Sequence, residues 1–219
     1  MSFDQTFVSE APARYMDGLL EPPFAVMLDI EATARREGQP AVGRHTGALL
    51  RTLVALHRPK RLLEIGTNIG YSALWMASAM RADAHLDTIE FDEALVARAR
   101  ANFVAATADG DLADRIAIHA GAALDVLPLL DAGAYDLVFL DADKREYPRY
   151  FDHVKRLLRP GGVILVDNVF WSGKVWDDSA QDADTRGIRD LTQAAFDDPE
   201  LTTTIVPVED GLGLFVKAY

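Results

Sequence analysis

Apolar positions along the chain follow two different periods, and the change comes near residue 60. Before it, apolar residues return at helical spacing, first as Phe24, Met27, Leu28 and Ile30, then as Leu49, Leu50, Leu53, Val54 and Leu56. Residues 11–57 are therefore expected to be helical, with Pro22-Pro23 starting the second helix and Gly38-Gln39-Pro40 stopping it. After it, short apolar runs at 61–65, 85–90, 115–119, 135–141 and 162–167 read as strands of a sheet covered on both faces. Helical patterns at 71–81, 92–108, 122–130 and 146–159 separate them. Such alternation calls for right-handed crossovers and a parallel sheet.

The tail departs from this rhythm. A helix near 184–197 leads into strands at 201–208 and 212–218, joined by Glu209-Asp210-Gly211. Asp-Gly between apolar runs signals a hairpin, so the last strand is expected to be antiparallel. The expectation is one α/β domain over 1–219, with a helical segment at 1–57 and a core at 58–219. Its sheet has seven mostly parallel strands, an antiparallel last strand and helices on both faces.

Composition narrows the chemistry. None of the 219 residues is cysteine, which excludes disulfides, thiolate nucleophiles and zinc–sulfur sites. The formal charge of −12 disfavours polyphosphate and membrane-surface partners through long-range repulsion. Arg35-Arg36 and the run Arg58 to Arg61 read as solvated helix or turn residues. No apolar stretch approaches the roughly 20 residues that span a bilayer. Met1-Ser2-Phe3-Asp4-Gln5 lacks the basic start of a secretory leader, so the expected location is the cytoplasm.

The candidate chemistry starts at the end of the first strand, in Glu64-Ile65-Gly66-Thr67-Asn68-Ile69-Gly70. Glycines without a Cβ let this backbone turn sharply and approach a ligand, at the strand end where open α/β sheets bind nucleotide-like molecules. The spacing is not GxGxxG, and an acid precedes the first glycine. That carboxylate would repel a pyrophosphate but suits a ligand offering ammonium or hydroxyl groups, as S-adenosylmethionine (SAM) does. Ser72 either caps the following helix or meets a ligand carboxylate at its amino end. Glu90, ending the second strand, is placed to bind ribose hydroxyls, unless it is simply a polar residue leaving a strand. Phe91 is placed to lie along an adenine ring, and Asp92 to cap the next helix. Gly121-Ala122-Ala123 lets a loop reach the adenine edge, or merely starts a helix.

Two further strands end in oxygen ligands: Asp141, and the pair Asp167-Asn168. Two carboxylates and an amide on neighbouring strand ends suit Mg²⁺, with Ca²⁺ or Mn²⁺ as alternatives, and the missing histidine and thiolate argue against zinc. The competing reading is that all three are caps and turn formers. Lys144 follows as a candidate general base, or as one half of a surface ion pair. Trp171 and Trp176 either wall an aromatic acceptor site or serve packing and a dimer contact.

The segments "LLEIGTNIGYSALWMA", "YDLVFLDADKREYPRYFD", "GGVILVDNVFWSGKV" and "PVEDGLGLFVK" resemble the cation-dependent class I O-methyltransferases, the family of catechol and caffeoyl-CoA O-methyltransferases. The resemblance runs from about Val42 to the end. It implies a Rossmann-like methyltransferase fold in which Val42 packs against the methionine part of SAM and Glu64 holds its amino group. Gly66 and Thr67 would line the loop, Ser72 would meet the carboxylate, Glu90 the ribose and Ala123 the adenine region. Asp141, Asp167 and Asn168 match the metal ligands, Asp141 also lying close to the cofactor, and Lys144 matches the general base. Asp143 stands where the animal catechol enzymes have tryptophan, agreeing with the plant and bacterial branch.

The reaction implied is transfer of a methyl group from SAM to one hydroxyl of a catechol-like small molecule, by a homodimer. The resemblance also admits a tRNA-nucleoside methyltransferase, which the acidic charge disfavours, and a non-catalytic SAM-binding protein, which the intact acid set with Lys144 disfavours. A nicotinamide dehydrogenase fails on the glycine spacing.

Overall fold

The computed structural model describes residues 10–107 and 111–219. Met1 to Gln5 and the last residue of the helix expected at 92–108 lie outside them. Seven strands are ordered β3-β2-β1-β4-β5-β7-β6 in a sheet. The chain divides into two compact units, Glu10–Ala123 and Leu124–Tyr219.

The first unit opens with three helices, α1 (Glu10–Asp17), α2 (Val26–Glu37) and α3 (Arg44–His57). Gly38, at φ 66°, ends α2 where the Gly38-Gln39-Pro40 stop was expected. Met27, Ile30, Leu50 and Val54 carry the helical period into the core and are all buried. Strands β1 (Arg61–Ile65), β2 (His85–Glu90) and β3 (Ile116–Ala120) pair in parallel, Glu64 opposite Thr88 and Glu90 opposite Ala120. Between them run α4 (Tyr71–Ala77) and α5 (Glu93–Ala106), and α6 (Ala123–Val126) begins where the unit ends. Helix α4 stops four residues short of the expected 81, because Ala79 and Met80 bond three residues back and tighten the chain into turns. Asp92 caps α5 as its sequence position implied, accepting from the amides of Ala94 at 2.8 Å and Leu95 at 3.3 Å.

The second unit contains β4 (Tyr135–Leu140), α7 (Tyr147–Leu157), β5 (Leu158–Val166), α8 (Ala183–Asp197), β6 (Leu201–Val206) and β7 (Leu212–Lys217). β4 and β5 are parallel, whereas β7 runs antiparallel to both β5 and β6. The terminal hairpin is therefore present, two residues shorter on its first strand than expected. Tyr147, Tyr150, Phe151, Val154 and Leu157 form the buried stripe of α7. That helix ends before 159 because Pro160 disfavours helical backbone in the residue before it. β5 consequently starts early, at Leu158 opposite Tyr135, and shifts register before Val163 pairs with Leu137. Among the described residues no helix is long and apolar enough to cross a membrane.

Candidate active site

In the first unit the glycine turn forms as the spacing implied. Gly66 and Gly70 take φ values of 101° and 85°, and a Cβ on Gly70 would lie 2.5 Å from the Phe103 ring. The amides of Gly66 and Thr67 both donate to the Ile89 carbonyl at 3.1 Å, fastening the turn to the end of β2. Glu64 is fully buried at the base of this turn. Its Oε1 accepts the Ser72 hydroxyl at 2.5 Å and its Oε2 the Thr88 hydroxyl at 2.6 Å, while Thr67 and Thr88 share a further hydroxyl contact. Ser72 is thus not the cap of α4. Gly70 occupies that position, and the Ser72 hydroxyl points at the acid inside the fold.

Glu90 is held by backbone amides. Its Oε2 accepts from Asn68 at 2.8 Å, and its Oε1 from Phe91 and Asp92 at 3.0 Å each. Three amide donors fix the position of this carboxylate. Gly121, at the end of β3, donates to the Glu90 carbonyl at 2.8 Å, which brings the loop leading to Ala123 beside the same strand end. Phe91 is exposed, and Val42 is buried in the stretch linking α2 to α3. Glu64, Gly66, Thr67, Ser72 and Glu90 therefore gather around the ends of β1 and β2. At the other ends of these strands, a hollow of about 220 Å³ is lined by Arg61, His85, Asp87, Asp114 and Arg115. Asp87 is ion-paired there with Arg61 at 2.8 Å.

The second unit holds the other expected set. Leu140 pairs with Val166, so the next residues, Asp141 and Asp167, leave two adjacent strand ends together, and the Asp167 amide donates to the Leu140 carbonyl at 3.0 Å. Asn168 follows in left-handed backbone, φ 58°. Asp167 is buried, and burial together with the Asp141 charge drives its carboxyl well above the usual range. Lys144 is buried too, its Nζ donating to Asp141 Oδ1 and to the Tyr147 hydroxyl, each at 2.6 Å. Burial alone would discharge this amine, but Tyr147 and Asp141 outweigh it and hold the ammonium form. In this arrangement Lys144 is a charged donor. Asp143 caps the short turn that carries Lys144 and accepts the Arg145 side chain at 2.9 and 2.6 Å.

Among the described residues no group of three or more His, Cys, Asp and Glu side chains is arranged to hold a metal. The expected set has two acids and relies on the Asn168 amide for its third oxygen. Its chemistry still fits a hard divalent cation. The buried Asp167 carboxyl is pushed toward its protonated form by burial and by the Asp141 charge, which a cation between them would reverse, and all three donors are oxygens.

The matching family model, described as O-methyltransferase, spans residues 24–218. The chain belongs to that family. It is thereby placed among the SAM-dependent O-methyltransferases of the caffeoyl-CoA and catechol type. It is 36% identical over 187 residues to a catechol O-methyltransferase of Niastella koreensis, covering 83% of each chain. Among solved structures it is similar to the O-methyltransferase TomG of Streptomyces achromogenes, involved in tomaymycin synthesis and solved with SAM. That match has a TM-score of 0.85 and 32% identity, covering 95% of this chain and 96% of that one. An O-methyltransferase of Bacillus cereus, solved with S-adenosylhomocysteine (SAH), gives 0.84 and 30%, covering 94% and 97%.

Several residues that brace the loops of this O-methyltransferase around Asn168 and Lys144 carry no sequence signal. The tip of the last hairpin clamps the stretch after Asn168. Asp210 accepts the Phe170 amide on its carbonyl at 2.9 Å and the Ser172 amide on its carboxylate at 2.7 Å, and Gly211 accepts the Val169 amide at 3.2 Å. Trp171 and Ser172 sit at positive φ within that clamped stretch. The Arg189 side chain on α8 donates to the carbonyls of Lys174, Val175, Asp177 and Ala180, which staples the rest of the same loop. Gly187, on the same helix, lets α8 touch the Lys144 backbone, since a Cβ there would lie 2.1 Å from the Lys144 carbonyl oxygen. Trp171 lies with its ring centre 5.9 Å from Lys144 Nζ, and Trp176 packs edge-on against Phe170 at 5.6 Å. Of all these, the sequence signals the two tryptophans, as acceptor wall or packing, and the Asp-Gly pair of the hairpin, as a turn.

Proposed function

We propose that this chain moves the methyl group of SAM to one hydroxyl of a catechol-like small molecule, with a divalent cation, most simply Mg²⁺, held by Asp141, Asp167 and Asn168. The observation that carries this reading is the pair of carboxylates on the adjacent ends of β4 and β5, one of them buried, with Lys144 against the other. The relatives support it: one is named a catechol O-methyltransferase, and others were solved with SAM or SAH.

When bound, SAM supplies a methyl carbon activated by its sulfonium, and the cation supplies Lewis acidity that makes a nearby hydroxyl more acidic. The chain's own residues do the rest. Glu90, already fixed by three amides, offers its remaining lone pairs to the ribose hydroxyls. Phe91 offers an exposed ring face to the adenine, with Ala123 at its edge. Val42, Gly66 and Thr67 shape the space for the methionine part, and Glu64 and Ser72 set the polarity beneath it. Lys144 faces the acceptor hydroxyl as the proton-handling group, able to act as a base once Asp141 is engaged elsewhere. Trp171 forms an aromatic wall. Positioning of this kind can recover roughly 7–11 kcal/mol of a bimolecular barrier.

The same reading has the chain working in the cytoplasm as a single domain and as a homodimer. Nucleic acid is not expected to be its substrate. The test is methyl transfer from labelled SAM to a panel of vicinal diols and matched monophenols, with and without EDTA. Diol turnover that EDTA removes and Mg²⁺ restores is the expected outcome. Equal turnover of monophenols, or indifference to EDTA, would overturn the cation-bound diol.

A further inference from the structure

One charged cluster in the first unit has no part in the reading above. Glu31 lies midway along α2, and its carboxylate reaches two other elements at once. Arg44, the first residue of α3, grips it with its guanidinium fork, Nε to Oε1 at 2.8 Å and Nη2 to Oε2 at 2.7 Å. Tyr71, the first residue of α4, donates its hydroxyl to Oε1 at 2.5 Å. A bidentate, part-buried pair of this kind is strong and geometrically specific.

What those partners flank gives the cluster its meaning. Arg44 directly follows the stretch 38–43 that carries Val42, and Tyr71 directly follows Gly70 of the glycine turn and precedes Ser72. A second tie joins the same two segments independently, since Asn68 in the turn donates its side-chain amide to the Pro40 carbonyl at 3.0 Å. Asn68 is held in left-handed backbone at φ 47°, and its own amide is one of the three that fix Glu90. The Val42 stretch and the glycine turn are therefore fastened to each other at both ends, by a neutral hydrogen bond at Asn68 and by an ion pair at Glu31.

We propose that Glu31 is a positioning residue for the methyl donor: it holds the Val42 stretch against the glycine turn, so that the protein is already closed around the SAM site before SAM arrives. The inference rests on the assignment of that turn to SAM. A protein whose competent state is only fractionally populated binds its ligand more weakly by that fraction. Loss of the Glu31 tie should therefore appear in donor affinity, with little effect on turnover once the donor is saturating.

The experiment is calorimetric titration of the full chain with SAM and with SAH, alongside thermal unfolding and steady-state kinetics. Glu31→Ala is expected to weaken both ligands by about tenfold or more, the factor that follows if the closed state falls to roughly a tenth of the population. Glu31→Gln, which keeps an oxygen for Tyr71 and for one Arg44 contact, should recover most of that loss. Tyr71→Phe should cost less than Glu31→Ala, and the double variant should be no worse than Glu31→Ala alone, because both act through one carboxylate. Turnover at saturating SAM should stay within about twofold throughout. Unchanged SAM affinity in Glu31→Ala, whatever its melting temperature, would reduce the cluster to a brace of the fold and overturn the proposal. If that variant does not fold, unchanged SAM affinity in Arg44→Ala, which removes the ion pair from its other end, would overturn it equally. Failure of the unmodified chain to bind SAM would instead sink the assignment on which the inference rests.

Discussion

Glu64 and Asp167 are both buried carboxylates within a residue of a strand end, yet the fold treats them in opposite ways. In the first unit Glu64 receives two hydroxyl hydrogen bonds and Glu90 three amide hydrogen bonds. Both carboxylates find their donors in the chain itself. In the second unit Asp167 faces Asp141, and the nearby cation, Lys144, is committed to Asp141 and Tyr147. One acid is hydrogen-bonded on both oxygens within the fold, and the other is pushed toward its protonated form by burial and by the Asp141 charge. The difference separates acids satisfied within the scaffold from one that, under the proposed function, receives a cation.

Replacing Asp167 with Asn should break this contrast most visibly. If the acids exist to hold a cation, Asp167→Asn should lower turnover by about a thousandfold, the scale of several kcal/mol that a Lewis acid supplies. The same change should leave the metal-free protein as stable as before or slightly more so, because it removes a buried like-charge contact. Chelator-treated protein followed by thermal unfolding, beside an activity assay, checks both halves. A large loss of stability would mean that Asp167 belongs to the scaffold after all.

The next effect in size concerns the support beneath Lys144. A methyl group at Gly187 would collide with the Lys144 carbonyl oxygen, which is backbone and cannot rotate away. Gly187→Ala should cost about 3 kcal/mol, at the upper end of overpacking penalties, or a fall of roughly 6–12 °C in melting temperature for a chain of this size. Activity should fall further than stability requires, because the turn carrying Lys144 must shift. A melting temperature within a degree or two of the parent would show that α8 has slack.

These two sites also mark how far the primary structure can be read. Glycine spacing, strand-terminal acids and apolar period are local properties, so the sheet, the terminal hairpin, the Asp92 cap and both candidate clusters were legible before any coordinates. What was not legible depends on which residues meet. Nothing in the string Arg-Gly-Ile-Arg around Gly187 says that it packs on Lys144, nor that Arg189 will gather four loop carbonyls. Ser72 is open to two readings, cap of the next helix or partner of a ligand carboxylate, because its position alone does not say where the hydroxyl points. The structure turns its hydroxyl to Glu64 instead, since a fully buried carboxylate gains more from that donor than the helix start does.

Glu64→Gln sharpens the comparison from the other side. The amide keeps the size but replaces one acceptor oxygen by a donor, opposite hydroxyls that already supply protons. About 2 kcal/mol of stability should be lost, the usual cost of leaving a buried polar contact mismatched. Equilibrium denaturation would measure it. An unchanged midpoint would make Glu64 as tolerant as Asp167 is expected to be, and the distinction between scaffold and receiving acids would fail.

The smallest effect tests whether the cofactor side is as rigidly prearranged as its hydrogen bonds imply. Asp92→Ala removes the side-chain cap of α5 and should cost about 1 kcal/mol, or roughly 2–4 °C in melting temperature. Donor affinity should not change, because Asp92 reaches Glu90 through its backbone amide, which alanine retains. Fraying of the first turn of α5 would be the one route by which the cap could matter to Glu90. A loss of SAM affinity beyond about twofold, read by the same titration that checks Glu31, would then mean that the amide cradle is held by the helix start, and that this carboxylate is less fully prearranged than Glu64.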